Sequence, residues 1–186
     1  MMRHVAKIAI ISALLALSAG AATTGPRMTE TFEHEPDTRW RFFTDSVMGG
    51  ASRGQVEFLS RGGTSYARMT GTVSTENNGG FIQMRMTLPE APPPSTRGIR
   101  LVARGNGQRY FVHLRTRGTV LPWQYYQAGF EVTRDWAEFR LPLARFTASG
   151  RLLRPTPQAG SIQSIGVVAF GRDHAAEIEL REIGIY

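Results

Sequence analysis

The chain has 186 residues, with 20 glycines, 10 prolines, no cysteine and a formal net charge of +7. The length fits one domain behind a short leader. Without cysteine there can be no disulfide framework, no thiolate metal site and no lipidated cysteine. The core must therefore be stable without covalent cross-links.

Residues 1–22 predict a cleavable signal peptide. Arg3 and Lys7 precede an apolar run at residues 8–17, and Ala19 and Ala21 form an Ala-x-Ala cleavage pattern. The run is shorter than the roughly 20 residues that span a membrane. An uncleaved anchor and a mitochondrial transit peptide are the alternatives, and the second fits less well because the segment is not amphipathic. We expect a periplasmic or secreted protein with a linker at residues 23–29, one domain at residues 30–186 and no transmembrane segment in the mature chain.

The predicted mature chain is basic through arginine alone. Without Arg3 and Lys7, 20 basic residues remain against 15 acidic ones, which gives +5, and all 20 are arginine. Guanidinium groups suit carboxylates, phosphates and sugar hydroxyls and stack on aromatic rings, although a GC-rich genome produces the same composition. Acidic residues are interspersed with the arginines and the chain is expected to be exported, so we expect no nucleic-acid partner.

Most segments after Met28 alternate between apolar and polar residues, which predicts β-strands. In residues 81–88 the apolar set is Ile82, Met84, Met86 and Leu88, and the polar set is Gln83, Arg85 and Thr87. Further strand-like runs occupy residues 99–104, 108–116, 124–132 and 136–141.

Three local signals refine this pattern. Asn106-Gly107 predicts a tight hairpin between the runs at 99–104 and 108–116. Residues 162–170 are apolar on nearly both faces and predict a central strand. A change of phase in the last run predicts a bulge near Arg181 or Glu182. Only residues 90–96, with three prolines, read as a long irregular piece. About ten short strands without helical periodicity predict an all-β fold, an antiparallel β-sandwich or jelly roll.

Two polar, glycine-rich loops stand out, at residues 43–54 and 75–81. Gly49-Gly50 permits positive φ or a close approach of another chain, and polar side chains surround it. We expect the fold to bring the two loops together as a binding surface. Its candidate binding residues are Asp45, Met48, Gly49, Gly50, Ser52, Arg53, Glu76, Asn77 and Asn78.

The sequence offers no convincing catalytic or metal-binding set. Ser52 lies in a Gly-x-Ser-x-Gly pattern, but a strand follows it where a nucleophile elbow needs a helix. His34, His113 and His174 are not in ligand spacing. The acids Asp45, Glu76 and Asp173 are interpreted as loop acids, with a structural calcium site as the alternative. We therefore expect no catalytic residues, no metal and no cofactor.

Aromatic residues next to arginines indicate a second kind of surface. Alternation sends Tyr125 and Tyr126 to opposite faces of a strand, so one of them faces away from the core or into a groove. Aromatics beside guanidinium groups are typical of surfaces for sugars or extended peptides. Filling of the end of the fold is the alternative role of these rings. This surface adds the candidate binding residues Arg85, Arg104, Arg115, Trp123 and Tyr125.

A series of short motifs resembles the complex I intermediate-associated protein 30 family. The series comprises residues 45–54, Glu76-Asn77-Asn78-Gly79-Gly80-Phe81, residues 105–110, residues 125–130, Trp136 with residues 140–143, Ile165-Gly166 and the last strand around Glu179. The resemblance implies a galactose-binding-like jelly roll without enzymatic activity that helps to assemble respiratory complex I. It also adds Tyr110 and Gln127 to the candidate binding residues.

Two functions follow as hypotheses. The first is an exported assembly factor or chaperone-like domain that binds a respiratory-complex or other envelope protein through the two loops. The alternative is a periplasmic carbohydrate-binding module that holds a glycan through its aromatic residues and arginines.

Overall fold

The computed structural model describes residues 28–186, which form two antiparallel β-sheets packed face to face. Side chains of successive strand residues point to opposite sides of a sheet, so the alternating pattern gives each sheet one apolar face. Packing these two faces together removes them from water and confirms the predicted β-sandwich. The signal peptide and most of the predicted linker lie outside the described residues. Thr29, predicted to be linker, is already part of a strand.

Sheet 1 contains six strands. In spatial order these are β3 (Arg53–Arg61), β4 (Thr64–Val73), β12 (His174–Ile185), β6 (Gly98–Gly105) and β9 (Ala137–Pro142), with the short β1 (Thr29–Glu30) also paired to β12. The register between β12 and β6 shifts between Leu180 and Glu182, so the predicted bulge at Arg181 or Glu182 is confirmed. The bulge lets both halves of β12 keep their apolar residues on the core side.

Sheet 2 also contains six strands. In spatial order these are β10 (Thr147–Ala148), β8 (Tyr126–Glu131), β7 (Arg109–Thr116), β11 (Ile162–Phe170), β5 (Phe81–Thr87) and β2 (Trp40–Thr44). The predicted central strand at residues 162–170 is β11, which pairs with β7 on one side and β5 on the other. The predicted faces of β5 are also confirmed, because Ile82, Met84 and Met86 are buried in the core.

Helical structure is limited to single turns. One α-helical turn, α1 (Pro36–Arg39), precedes β2, and 3-10 turns occupy Asp45–Met48, Glu76–Asn78, Leu143–Arg145 and Ala159–Ser161. Among residues 28–186, no helix has the length and apolar character needed to cross a membrane.

The core lies between the sheets and is filled by large side chains from both. Its largest fully buried members include Tyr110, Phe146, Met69, Ile82 and Met84. Each such side chain contributes roughly 1.5–3 kcal/mol by leaving water. Burial of this kind replaces the disulfides that the sequence lacks.

The predicted hairpin at Asn106-Gly107 is wrong. β6 belongs to sheet 1 and β7 to sheet 2, so this tight connection carries the chain from one sheet to the other. Gly107 has a φ of 75°, as expected for a tight turn at Asn-Gly. Hydrogen bonds to β12, and not the turn itself, determine where the two strands lie. Asn106 N donates to Glu177 O of β12, and the hydroxyl of Tyr110 on β7 accepts from Glu177 N at 2.8 Å.

Candidate functional site

The two polar loops meet, as the sequence predicted, around the carboxylate of Asp45. Its oxygens accept hydrogen bonds from Ser52 N (3.0 Å), Gly80 N (2.5 Å) and Phe81 N (3.1 Å), and from the Ser52 hydroxyl. The residue is fully buried. Burial by itself raises the pKa of Asp45, but these hydrogen bonds outweigh it and hold the pKa below its ordinary value.

Hydrogen bonding therefore gives Asp45 and Ser52 an internal role. The Ser52 hydroxyl also accepts a hydrogen bond from Ser74 N at 3.0 Å, which ties the start of β3 to the end of β4. Neither side chain presents a free polar group to a partner in this structure. No helix follows Ser52, since β3 starts at the next residue, so the nucleophile-elbow arrangement is absent here.

The glycine pair is explained by the same carboxylate. Gly49 has a φ of 86° and ends the 3-10 turn, a conformation that other residues rarely adopt. A Cβ on Gly50 would lie 2.3 Å from Cγ of Asp45, so only glycine fits there.

The other predicted loop residues remain at the surface. Asn77 joins the loops by donating from Nδ2 to Gly49 O at 3.3 Å. The side chains of Met48, Arg53, Glu76, Asn77 and Asn78 are exposed. Their role in binding stays a prediction.

A calcium ion has little to bind at this loop cluster. Asp45 is surrounded by N–H and O–H donors, which carry the wrong partial charge for a cation. Asp173 accepts hydrogen bonds from Thr75 N and Thr75 Oγ1. Within residues 28–186 no three His, Asp or Glu side chains are grouped as metal ligands.

The outer surface of sheet 2, here called the open face, carries a second set of functional side chains. Its partly exposed aromatic rings are Phe43, Phe81, Phe111, Tyr125 and Phe170. The rings contact one another. Phe111 packs edge-on against Phe170 with ring centroids 6.0 Å apart, and Tyr125 lies 6.4 Å from Phe170. Aromatic rings that face solvent on a sheet are an apolar platform that the core does not need.

A row of polar side chains crosses the open face perpendicular to the strands. The in-register neighbours are Arg41, Arg85, Gly166, His113, Gln127 and Thr147, one from each strand. Gly166 has no side chain, and the space above it is occupied by the Gln83 amide, which a Cβ there would meet at 2.2 Å. The row places amide, imidazole and guanidinium groups between the aromatic rings.

His113 is the most unusual member of this row. Its ring stacks on Tyr125 with centroids 4.1 Å apart and an interplanar angle of 10°, and only 7% of the residue is exposed. Burial lowers the pKa of His113 to about 4, so the imidazole is neutral at pH 7. Hydrogen bonding to the side chain of Gln127, the residue paired with His113 on β8, opposes this shift.

Two arginines stand on the same face without a carboxylate nearby. The guanidinium of Arg85 is 4.8 Å from the ring centroid of Phe43. Burial, and secondly the charge of Arg115, lower the pKa of Arg85, which remains protonated at neutral pH. Arg115 donates to the carbonyl oxygens of Thr119, Leu121 and Pro122 at 2.8–3.1 Å, so its position is fixed by neutral groups.

The structure divides the predicted aromatic and arginine set. Arg85, Arg115, Tyr125 and Gln127 are together on the open face. Trp123 lies in the loop before β8 and is 67% exposed. As predicted from alternation, Tyr126 enters the core while Tyr125 does not.

Two predicted binding residues lie elsewhere. Arg104 belongs to the outer surface of sheet 1, where its guanidinium pairs with Glu179 at 2.6 Å. Tyr110 is fully buried between the sheets. Its core position is a correction, and its physical reason is that the hydroxyl bridges Asn106 and Glu177 across the crossover.

Sequence reasoning did not name Phe43, Phe81, Phe111, Phe170 or Gln83 as site residues. Alternation assigns each of these residues to one face of its strand. It does not show which face of the strand is covered by the other sheet. The signal that could have found the four phenylalanines is their place in the outward-facing phase of four strands, β2, β5, β7 and β11, since that phase is normally hydrophilic.

Comparison with known proteins gives the family of this β-sandwich. The chain belongs to the Complex I intermediate-associated protein 30 (CIA30) family, whose model matches residues 30–181. This confirms the resemblance drawn from the motifs. No curated protein sequence matches the chain.

Solved structures with a similar fold include carbohydrate-binding modules. A family 11 module from Clostridium thermocellum, in complex with a β-1,3-1,4-mixed-linked tetrasaccharide, superposes with a TM-score of 0.67 at 13% identity over 84% of this chain and 92% of that one. The family 11 module of a cellulosomal cellulase of Clostridium thermocellum gives 0.62 at 12% identity, over 78% and 86%. A family 30 module gives 0.52 at 13% identity, over 71% and 72%. At these identities the likeness shows the fold alone.

Asp45→Ala should destabilise the domain strongly. The change leaves buried N–H donors at Ser52 and Gly80 without an acceptor, and we expect a loss of about 3 kcal/mol or more in the free energy of unfolding. Urea denaturation followed by tryptophan fluorescence measures it. Asp135→Ala, at an exposed acid, is the matched control and should change stability by less than about 0.5 kcal/mol. Equal stabilities of the two variants would contradict the structural role of Asp45.

His113 should make the domain less stable in mild acid. Its pKa is about 4 in the folded state and near 6.5 in an unfolded chain. As the pH falls from about 6.5 toward 4, only the unfolded state takes up this proton, so the free energy of unfolding declines by an amount approaching about 3 kcal/mol. Stabilisation by Asp45, whose pKa is depressed, is lost only at lower pH.

Urea titrations at pH 7 and pH 4.5 test this effect. His113→Gln should remove most of the decline, whereas His34→Gln, at an exposed histidine, should retain it. A His113→Gln variant with the wild-type pH dependence would refute the assignment.

Proposed function

We propose that this chain is an exported glycan-binding domain whose ligand lies on the open face. One observation carries the proposal. Five partly exposed aromatic rings share the open face with the partly exposed Gln127 side chain and with the Arg85 guanidinium, which has no ion pair within residues 28–186. Exposed rings beside a few polar groups on one surface are what a ligand with apolar faces and polar edges would contact.

The chemistry of a sugar fits both halves of this surface. The C–H faces of a pyranose ring are apolar and pack on aromatic rings such as Tyr125 and Phe43. Its hydroxyl groups donate and accept hydrogen bonds at the ring edge. A hydroxyl can pair with the partly exposed side-chain amide of Gln127. Apolar contact combined with a few fixed polar groups is the usual composition of a small-ligand site.

The shared fold supports this proposal as an analogy. The family 11 module named above is itself bound to a tetrasaccharide. Fold likeness by itself does not establish function, so the exposed rings and polar groups of the open face carry the argument.

A glycan array followed by affinity electrophoresis tests the proposal. Tyr125→Ala removes a stacking ring, and we expect it to weaken binding of the selected glycan about tenfold or more, since stacked aromatic contacts are worth roughly 1–2 kcal/mol. Tyr186→Ala, at an aromatic residue packed near Arg97 and Arg140, is the matched control and should bind within twofold of wild type. An array without any specific glycan would refute the function.

A second candidate is a protein-binding role in the assembly of a membrane complex, as the family name suggests. The observation that favours it is the loop that follows β2. Val47 and Met48 are 71% and 65% exposed, and they sit beside Asn77 of the second loop. Exposed apolar side chains at a loop tip are suited to a protein surface.

Crosslinking of the full chain expressed in cells, followed by recovery from envelope extracts, tests this second role. Wild type should capture defined envelope proteins, and the double change Val47→Ser with Met48→Ser should lose them. Leu152→Ser, at another exposed apolar residue, should not. Equal capture by all three would exclude the loop tip as the contact. The mass of the recovered chain reports in the same experiment whether residues 1–22 are removed, as expected of a cleavable signal peptide.

A further inference from the structure

The two outer surfaces of the sandwich differ in charge balance. On sheet 1, the guanidinium groups of Arg68, Arg100, Arg104, Arg140 and Arg181 each lie within 4 Å of a glutamate carboxylate. Such pairs cancel most of the field of that surface. Most arginines of sheet 1 therefore have a glutamate partner, although Arg53 and Arg61 at the ends of β3 do not have one within the described residues.

The open face has no such compensation. Alternation places Arg41, Arg85, Arg109 and Arg115 on it, and none of them forms an ion pair within residues 28–186. Residues 1–27 contain no aspartate or glutamate, so they cannot supply a carboxylate side chain either. The only acid that alternation assigns to a strand of this face is Glu131, at the end of β8 beside Arg109.

Arg85 lies at the centre of the uncompensated charge. Arg85 lies directly opposite Arg41 of the neighbouring strand β2. Like charges in such a pair destabilise a sheet. Arg85 is half-buried, and its guanidinium stacks on the ring of Phe43. No hydrogen bond of this guanidinium to residues 28–186 is formed. Its donors are therefore held beside the aromatic platform and remain free.

Arg115 adds a second fixed cation. Three carbonyl oxygens of the loop after β7 hold its guanidinium, and carbonyls orient a charge without neutralising it. After burial, the positive charge of Arg115 is the second cause of the lowered pKa of Arg85. The cost of holding these cations together is recovered when an anion binds between them.

We propose that the ligand of the open face is an acidic glycan, one whose sugars carry carboxylates, and that Arg85 is the residue that selects the carboxylate. This inference rests on the proposed glycan-binding function and names its ligand class. A sugar ring stacks on the aromatic platform, the Gln127 amide pairs with a hydroxyl, and Arg85 receives the carboxylate in the planar, two-donor geometry that guanidinium provides.

Binding to polyuronates and to their neutral counterparts tests the inference. The probes are polygalacturonate, alginate and glucuronan, each beside the same polymer after chemical reduction of its carboxyl groups. At low salt, wild type should bind at least one polyuronate about tenfold or more tightly than its reduced form. The preference should shrink as salt is raised, since salt screens exposed charges.

Two variants separate selection from folding. Arg85→Gln should lose most of the affinity for the polyuronate, about tenfold or more, while it binds the carboxyl-reduced polymer within twofold of wild type. Arg140→Gln, at an exposed arginine of sheet 1, should behave as wild type with both polymers. Retained binding of the reduced polymer shows that Arg85→Gln is folded.

The outcomes distinguish this inference from the function it rests on. Equal affinity for acidic and reduced polymers, or binding of neutral glycans alone, overturns the acidic-glycan inference and leaves glycan binding in place. Arg85→Gln indistinguishable from Arg140→Gln also overturns it. Binding of no polyuronate and no array glycan overturns both.

Discussion

The buried carboxylate of Asp45 fixes the geometry on which much of the rest depends. It follows β2 of sheet 2, bonds to Ser52 at the start of β3 in sheet 1 and to Phe81 at the start of β5 in sheet 2. One ionised group thus aligns the ends of three strands and joins the two sheets at one end of the sandwich. Phe43 and Phe81, whose rings are 6.0 Å apart, take their places from the strands that it aligns. A residue that first suggested a contact with a partner is therefore a support for the surface beside it.

The outer faces of the two sheets expose different kinds of side chain to solvent. Most arginines of sheet 1 lie beside glutamates, in pairs that are screened and individually weak. Sheet 2 carries aromatic rings, an uncharged imidazole and arginines without ion pairs within the described residues. The arrangement on sheet 2 costs stability, because it keeps like charges together. Proteins retain such costs at functional surfaces, and the contrast within one chain is what identifies the open face.

Much of the fold followed from period-two alternation, since that pattern depends only on which face of a strand meets water. Alternation predicted the central strand β11, the bulge near Arg181 and the opposite directions of Tyr125 and Tyr126. It did not predict which sheet each strand belongs to. Asn106-Gly107 signals a tight turn equally well within one sheet or between two, and hydrogen bonds to the distant Glu177 decide. The same limit applies to the site. The sequence analysis put Arg85 and Arg104 in one candidate binding set, but only the strand order places them on opposite sides of the molecule.

The side chains of the open face stand mainly on strands that have neighbours on both sides, not on loops. Their backbone is therefore held by the hydrogen bonds of the sheet, and several of the side chains are further restrained by stacking, as His113 is on Tyr125 and Arg85 is on Phe43. A surface of this kind is preorganised: little conformational entropy remains to be lost when a ligand arrives. The same rigidity limits how far the surface can adapt to a ligand. Discrimination between related ligands therefore depends on the fixed distance between side chains on neighbouring strands, about 4.8 Å.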